Sequence, residues 1–217
     1  MKSFVVIGVG RFGAALAKEL TELGHEVLAL DQSEEAITHI ADHVTHAVIG
    51  DAKDENVIRS IGVRNFDCAV VAIASDIQDS VLVTLMLKDM GVKKVIAKAQ
   101  SLMHMRVLER IGADQVVFPE RDMGQRVAQS LAASNIIDFI ELSEDYSIIE
   151  LNCPKKWCGK TLLELNIRGE YGANIIAVRG SEGKQVTVSP PANYRLTEGD
   201  VLIVIGANND LDELRDL

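Results

Sequence analysis

The turn Gly8-Val9-Gly10-Arg11-Phe12-Gly13 has the residue types and spacing of a phosphate cradle. It closes a short apolar run, Val5–Ile7, and opens a segment of helical period near Phe12. In that setting Gly8 permits the tight turn, Gly10 lets backbone approach a pyrophosphate, and Gly13 lets helix and sheet pack closely. The helix N-terminus supplies unpaired N–H groups and the positive end of a dipole to the phosphates. Asp31 ends the second apolar run, about 20 residues further on, where a carboxylate accepts hydrogen bonds from ribose hydroxyls. Gln32 and Ser33 follow it and bring no cation for a 2′-phosphate, which argues against NADP.

Arg11 stands inside the turn, where a guanidinium makes bidentate contacts to phosphate oxygens. It favours a ligand with more terminal phosphate charge, ATP over a dinucleotide. Further candidates end the later apolar runs. Gly50-Asp51-Ala52 follows the third, where an adenine would lie, and Ala72-Ile73-Ala74 ends the fourth. Lys98 ends the fifth and Glu120 the sixth. All of these fall at one sheet edge, the crevice where open α/β sheets bind ligands.

Other constellations carry less. His39, His43 and His46 have helix-like spacing, open to a metal site or to a solvated helix end. Cys153 and Cys158 flank Pro154-Lys155-Lys156-Trp157 as half of a metal site or as reduced thiols, the simpler reading. Cys68 sits in an apolar run and reads as a small core hydrophobe. Neither a Gly-x-Ser-x-Gly elbow nor a Walker lysine motif occurs. Residues 136–217 contain no histidine to act as a proton relay for hydride chemistry.

The elements that must position these residues follow a simple rhythm. Apolar runs at Phe4–Ile7, Val27–Leu30, Val44–Ile49, Ala69–Ala74, Lys94–Ala97 and Gln115–Phe118 read as buried parallel strands. Helical segments lie between and after them, near 12–23, 34–42, 53–61, 77–90, 102–111 and 121–135. Such alternation builds a Rossmann-type, doubly wound α/β fold with a six-stranded parallel sheet, expected over residues 1–135. Residues 136–217 break the rhythm. Strand-like segments at Phe139–Leu142, Ser147–Asn152, Asn174–Val178, Gln185–Ser189 and Val201–Ile205 leave room only for short helices, at Thr161–Leu165 and Leu211–Arg215. This reads as a smaller α+β domain. Residues 80–90 and 102–111 are apolar on more than one face, which predicts a subunit interface.

The totals agree with this reading. The chain has 217 residues, 47% hydrophobic and 25% charged, as in globular proteins that bury a core without staples. A net charge of −10 argues against nucleic acid as partner. The opening residues read as a strand and no run approaches the roughly 20 apolar residues of a membrane helix, so a cytoplasmic location is expected.

These residues together resemble the RCK family, the regulators of K⁺ conductance. The resemblance covers the whole chain and is closest to the KtrA type, more distant from TrkA. Carrying it are Val6 to Gly13, Thr45-His46-Ala47-Val48-Ile49, Ile61-Gly62-Val63-Arg64-Asn65-Phe66, Lys98-Ala99-Gln100 and Ile111-Gly112-Ala113-Asp114. Pro119-Glu120-Arg121-Asp122-Met123-Gly124 and Leu165-Asn166-Ile167-Arg168 add to them. The resemblance implies a regulatory subunit that is not an enzyme. Its dimers would assemble into an octameric ring on the cytoplasmic face of a membrane K⁺ transporter subunit of the KtrB kind. ATP and ADP would compete for the N-lobe, with Arg11 sensing the γ-phosphate across the dimer interface. Glu120 would help to hold a divalent cation or Na⁺ near the phosphates. The C-lobe would bind cyclic di-AMP through Arg168, with Ile167, Ile175 and Pro191 as apolar lining. Asp51 departs from relatives that carry Asn there, and Glu170 adds an acid beside Arg168. The alternatives are a TrkA-like sensor of NAD or NADH and a small NAD-dependent oxidoreductase.

Overall fold

The computed structural model describes residues 1–217 except 74–75, 133–135, 182–184 and 216. Its packing divides the chain into two units, Met1–Glu120 and Arg121–Leu217. The domain boundary expected at 135/136 has Asn135, outside the described residues, on one side.

The first unit contains six strands: β1 (Ser3–Ile7), β2 (Glu26–Asp31), β3 (His46–Ile49), β4 (Cys68–Val71), β5 (Val95–Lys98) and β6 (Gln115–Val117). All pair in parallel, in the order β3-β2-β1-β4-β5-β6. The strand order therefore reverses between β1 and β4, the doubly wound arrangement expected from the alternating runs. Side-chain alternation along β1 explains why the sheet is covered on both sides. Val5 and Ile7 join a core with Ile58, Val83, Leu87 and Leu108. Val6, one residue out of phase, packs in a separate cluster with Ala17. Each Val, Leu or Ile so buried contributes about 1.5–3 kcal/mol relative to exposure.

Helices α1 (Arg11–Glu22), α2 (Glu34–Ile40), α3 (Glu55–Ser60), α4 (Ile77–Asp89) and α5 (Leu102–Arg110) form the crossovers. Four of them begin at a side chain that accepts a first-turn N–H: Ser33, Asp54, Asp76 and Ser101. Helix α1 differs. Its N-cap is Gly10, with no side-chain cap and no acid in its first turn. The N–H groups of that turn are left for another acceptor.

Several boundaries differ from the sequence pattern by one to three residues, β7 beginning at Ile136 where Phe139 is expected, and two of them lie near the glycine turn or its sheet edge. The fourth strand was expected to reach Ala74, but β4 ends at Val71, and Ala74 lies outside the described residues. The last ladder bond runs from the Ala72 N–H to the Ile7 carbonyl (2.7 Å), where β1 itself gives way to the glycine turn. Helix α6 starts earlier than expected and runs Pro119–Ala132. Pro119 fits a first-turn position, where its missing N–H and fixed φ cost nothing.

The second unit holds an antiparallel sheet in the order β10-β9-β11-β8-β7, from β7 (Ile136–Glu141), β8 (Tyr146–Asn152), β9 (Asn174–Arg179), β10 (Val186–Val188) and β11 (Val201–Ala207). Against it pack α7 (Leu162–Leu165), α8 (Ile167–Tyr171) and α9 (Asn208–Arg215), around Ile149, Leu151, Trp157, Leu202 and Leu211. Helix α8 has no counterpart among the expected elements. It is five residues long and is separated from α7 only by Asn166 in the left-handed conformation (φ 42°), a break that period counting cannot see.

Candidate nucleotide site

The glycine turn is built by contacts among backbones. Gly8 has φ +93°, and a Cβ there would meet the backbone of Ala72 and Ile73 at 2.9–3.1 Å. Its N–H donates to the Leu30 carbonyl at 2.9 Å. Gly13, in the first turn of α1, sits against the Gly8 carbonyl so closely that a Cβ would lie 1.9 Å from its oxygen. Gly10 has open space around it, as a residue facing a ligand should. The carboxylate of Asp31 completes the turn: Oδ2 accepts from the Val9 N–H (2.7 Å) and Oδ1 from the Ser33 N–H (2.8 Å). Asp31 therefore orders the glycine turn from the end of β2.

Two cavities meet at this turn. The first, about 210 Å³, is bordered by Gly8, Gly10, Asp31, Gln32, Asp51, Ala52, Ala72 and Ile73, all expected from the sequence. The second, about 360 Å³, is bordered by Gly10, Arg11, Phe12, Ala72, Lys98 and Glu120, also expected, and by Gln100 and Phe118. Gly10 and Ala72 belong to both. Gly13 borders neither; its role is the helix–turn contact.

Sequence reasoning missed Lys53 and Asp79 in the first cavity. Lys53 Nζ donates to Asp79 Oδ2 at 3.0 Å and lies 3.9 Å from Asp51. Asp79, then Asp51, hold its ammonium pKa above the usual value. The signal was within reach, since Lys53 is two residues beyond the strand-edge Asp51. Asp79 was not, because it comes from α4 and nothing local marks it.

In the second cavity, the Lys98 ammonium is 7% exposed and donates to Glu120 Oε1 at 2.5 Å. The Phe12 ring centroid stands 5.7 Å from Lys98 Nζ. The hydrogen bond from Lys98 holds the Glu120 carboxyl below the usual range, with Arg11 adding in the same direction. Since the folded pKa lies below the unfolded one, this contribution to stability is present above about pH 4.3 and is lost as pH falls through the folded value. Glu120 is 59% exposed, so solvent screening keeps the contribution small. A carboxyl NMR titration should place the Glu120 midpoint below about 4.3, and Lys98→Met should raise it towards that value. Equal midpoints in the two proteins would show that the pair does not form.

Glu120 brings one carboxylate to a cation, and no cluster of three or more His, Cys, Asp and Glu occurs among the described residues. A divalent ion takes six or more oxygens. A cation beside Glu120 would have to draw most of its ligands from the phosphates of the nucleotide.

The second unit carries a cavity of about 300 Å³ bordered by Leu162, Leu163, Asn166, Ile167, Arg168 and Ile175. Ile167, Arg168 and Ile175 are where the sequence reading put them. Pro191 is not: Pro190 and Ala192 border the cavity in its place.

The geometry now has known counterparts. Residues 4–119 match the TrkA-N domain and residues 147–217 the TrkA-C domain. The chain is 47% identical over 210 residues to the Ktr system potassium uptake protein C of Bacillus subtilis, covering 97% of this chain and 94% of that one. It is 43% identical, with the same coverage, to protein A of that system in the same organism. The crystal structure of the GsuK RCK domain superposes with a TM-score of 0.55 at 25% identity, over 99% of this chain. This chain spans only 46% of that one.

Proposed function

The chain belongs to the TrkA-N/TrkA-C family of RCK proteins, and from that premise we propose that it is a nucleotide-sensing regulatory subunit of a potassium uptake system and not an enzyme. The observation that carries this reading is the two-part cleft. A nucleoside fits the first cavity against Asp31, Gln32 and Asp51, its phosphates cross the turn at Gly10, and its terminal phosphate enters the second cavity. There Lys98 reads its charge, joined by Arg11 of a second copy across the dimer interface. ATP and ADP are the ligands this arrangement distinguishes, because only the former carries charge so far along the turn.

The partner reading rests on surface chemistry. Leu82 and Leu85 on α4 are 48% and 40% exposed, and Leu102 and Met103 on α5 are 55% and 68% exposed. Apolar side chains so placed suit a second copy of the chain, and from there a ring, octameric by resemblance, on a membrane K⁺ transporter subunit of the KtrB kind. No helix among the described residues is long and apolar enough to cross a membrane. A place on the cytoplasmic face through that subunit follows from the same reading. Nucleotide shifts such a ring only by its differential affinity for two shapes. A swing from mostly one shape to mostly the other needs about 5.5 kcal/mol in total, which several equivalent sites would share. The cavity around Arg168 is assigned to cyclic di-AMP on the same footing.

Calorimetric titration with ATP, ADP, NADH and cyclic di-AMP tests the ligand part of this reading. ATP and ADP should bind, and Arg11→Ala should weaken ATP about 10- to 100-fold, the value of about 1.5–3 kcal/mol for hydrogen bonds to a charged group. ADP should lose far less. A preference for NADH, or equal losses for ATP and ADP, would remove the basis of the γ-phosphate reading. Cyclic di-AMP binding that survives Arg168→Ala unchanged would detach that ligand from the C-terminal cavity.

A further inference from the structure

Cys153 and Cys158 meet in the second unit. Cys153 directly follows β8, and its N–H donates to the Asp200 carbonyl at 2.8 Å. The chain then makes one 3₁₀ turn, Lys155–Trp157. Trp157 is 3% exposed, packs in the core and meets the Tyr171 ring at 5.7 Å between centroids. Beyond Cys158, the Gly159 N–H donates to the Leu196 carbonyl at 2.8 Å. Both ends of the loop are thus tied down, and its anchored turn returns one thiol to the other. The Sγ atoms stand 3.8 Å apart, and both approach the Pro154 carbonyl, at 3.7 and 3.6 Å.

Both thiols are partly exposed, whereas Cys68 is buried in the N-terminal unit. The sequence left open half of a metal site or reduced thiols. The described residues supply no further His, Asp or Glu to make a cluster with this pair. The pair stands as a dithiol. A disulfide needs its sulfurs at about 2.05 Å, so each must move by less than about 1 Å, within reach of small side-chain rotations.

We propose that Cys153 and Cys158 form a reversible dithiol–disulfide site whose oxidant is a low-molecular-weight disulfide. The Cys158 thiolate attacks one sulfur of that disulfide, forming a mixed disulfide and expelling one thiolate. Cys153 then loses its proton to solvent and attacks Cys158 Sγ, forming the internal bond and expelling the second. Two protein thiols are oxidised to one disulfide, and the small disulfide is reduced to two thiols. Burial and the neighbouring thiol push Cys153 up to about 12, which disfavours its thiolate as the first attacker. The loop runs on into Thr161, which caps α7, and α7 supplies Leu162 and Leu163 to the C-terminal cavity.

The test uses the full chain equilibrated in mixtures of reduced and oxidised glutathione, then quenched in acid and alkylated. As the mixture becomes oxidising, the chain should take up two fewer alkyl groups, and an unalkylated portion should be lighter by two hydrogens. The emission of Trp157, the one tryptophan of the chain and adjacent to Cys158, should be quenched in parallel. Dithiothreitol should restore both, Cys68→Ser should behave as wild type, and Cys153→Ser should stop with one glutathione attached. The proposal fails if both thiols stay alkylatable throughout, if wild type stops at the mixed disulfide, or if the only bond formed joins two chains. The wild-type mass result decides it without any variant.

Discussion

Gly13→Ala is expected to weaken ATP and ADP about 100-fold or more, close to 2.8 kcal/mol at 1.4 kcal/mol per tenfold change. The added Cβ would lie 1.9 Å from the Gly8 carbonyl oxygen and 3.1 Å from its carbon. Both atoms are backbone, so no rotamer relieves the contact, and the start of α1 must move off the end of β1. That movement withdraws the first-turn N–H groups from the phosphates. Crowding of this kind also destabilises, by about 1–3 kcal/mol, so the N-terminal unit should melt several degrees lower. Gly10→Ala is the control, since its Cβ meets nothing within 4 Å. It should keep the melting temperature and lose affinity only through intrusion on the pyrophosphate. Calorimetry and thermal unfolding of the two variants separate the effects. Wild-type melting and wild-type affinity in Gly13→Ala would mean that the close contact between turn and helix does not exist.

The second large effect is at Asp31. Asp31→Ala leaves the Val9 and Ser33 N–H groups without their acceptor, and a charge-assisted hydrogen bond to backbone contributes about 1.5–3 kcal/mol. If the same carboxylate also holds the ribose, nucleotide affinity should fall about 100-fold through two routes at once. Asp31→Asn keeps one acceptor oxygen, turns an NH₂ towards the other N–H, and should fall between the two. A deoxynucleotide separates the routes. Wild type should bind 2′-deoxy-ATP more weakly than ATP, and Asp31→Ala should bind the two alike. If the variant discriminates as wild type does, Asp31 orders the turn but does not touch the ribose.

Much of the site was legible because its signals are local. The glycines, Arg11 and Asp31 lie at fixed offsets around one strand–turn–helix unit, and that unit has few conformations. Lys98 and Glu120 were legible as strand-end residues, since parallel strands deliver their carboxyl ends to one edge. What they do to each other was not legible: they are 22 residues apart, and only the pairing of β5 with β6 brings them within 2.5 Å. Asp79 reaches the first cavity without any strand-edge signal, because it stands in the first turn of α4, which follows the carboxyl end of β4. Pro191 does not border the C-terminal cavity of the single chain, whereas its neighbours Pro190 and Ala192 do. Turn geometry decides which residue of such a stretch faces a cavity, and periodicity carries no information there.

The sequence by itself determined the fold class, the strand count and the place of the phosphate turn. Buried parallel strands must be apolar throughout, and a glycine turn at a helix start has one use that explains all three glycines. Only the tertiary structure decided that Asp31 braces the turn, that Lys98 sits buried against Glu120, and that Cys153 faces Cys158 across an anchored loop. Those are distances between side chains on separate elements or on the two ends of a loop. Chain order restrains them weakly, and the packed core sets them.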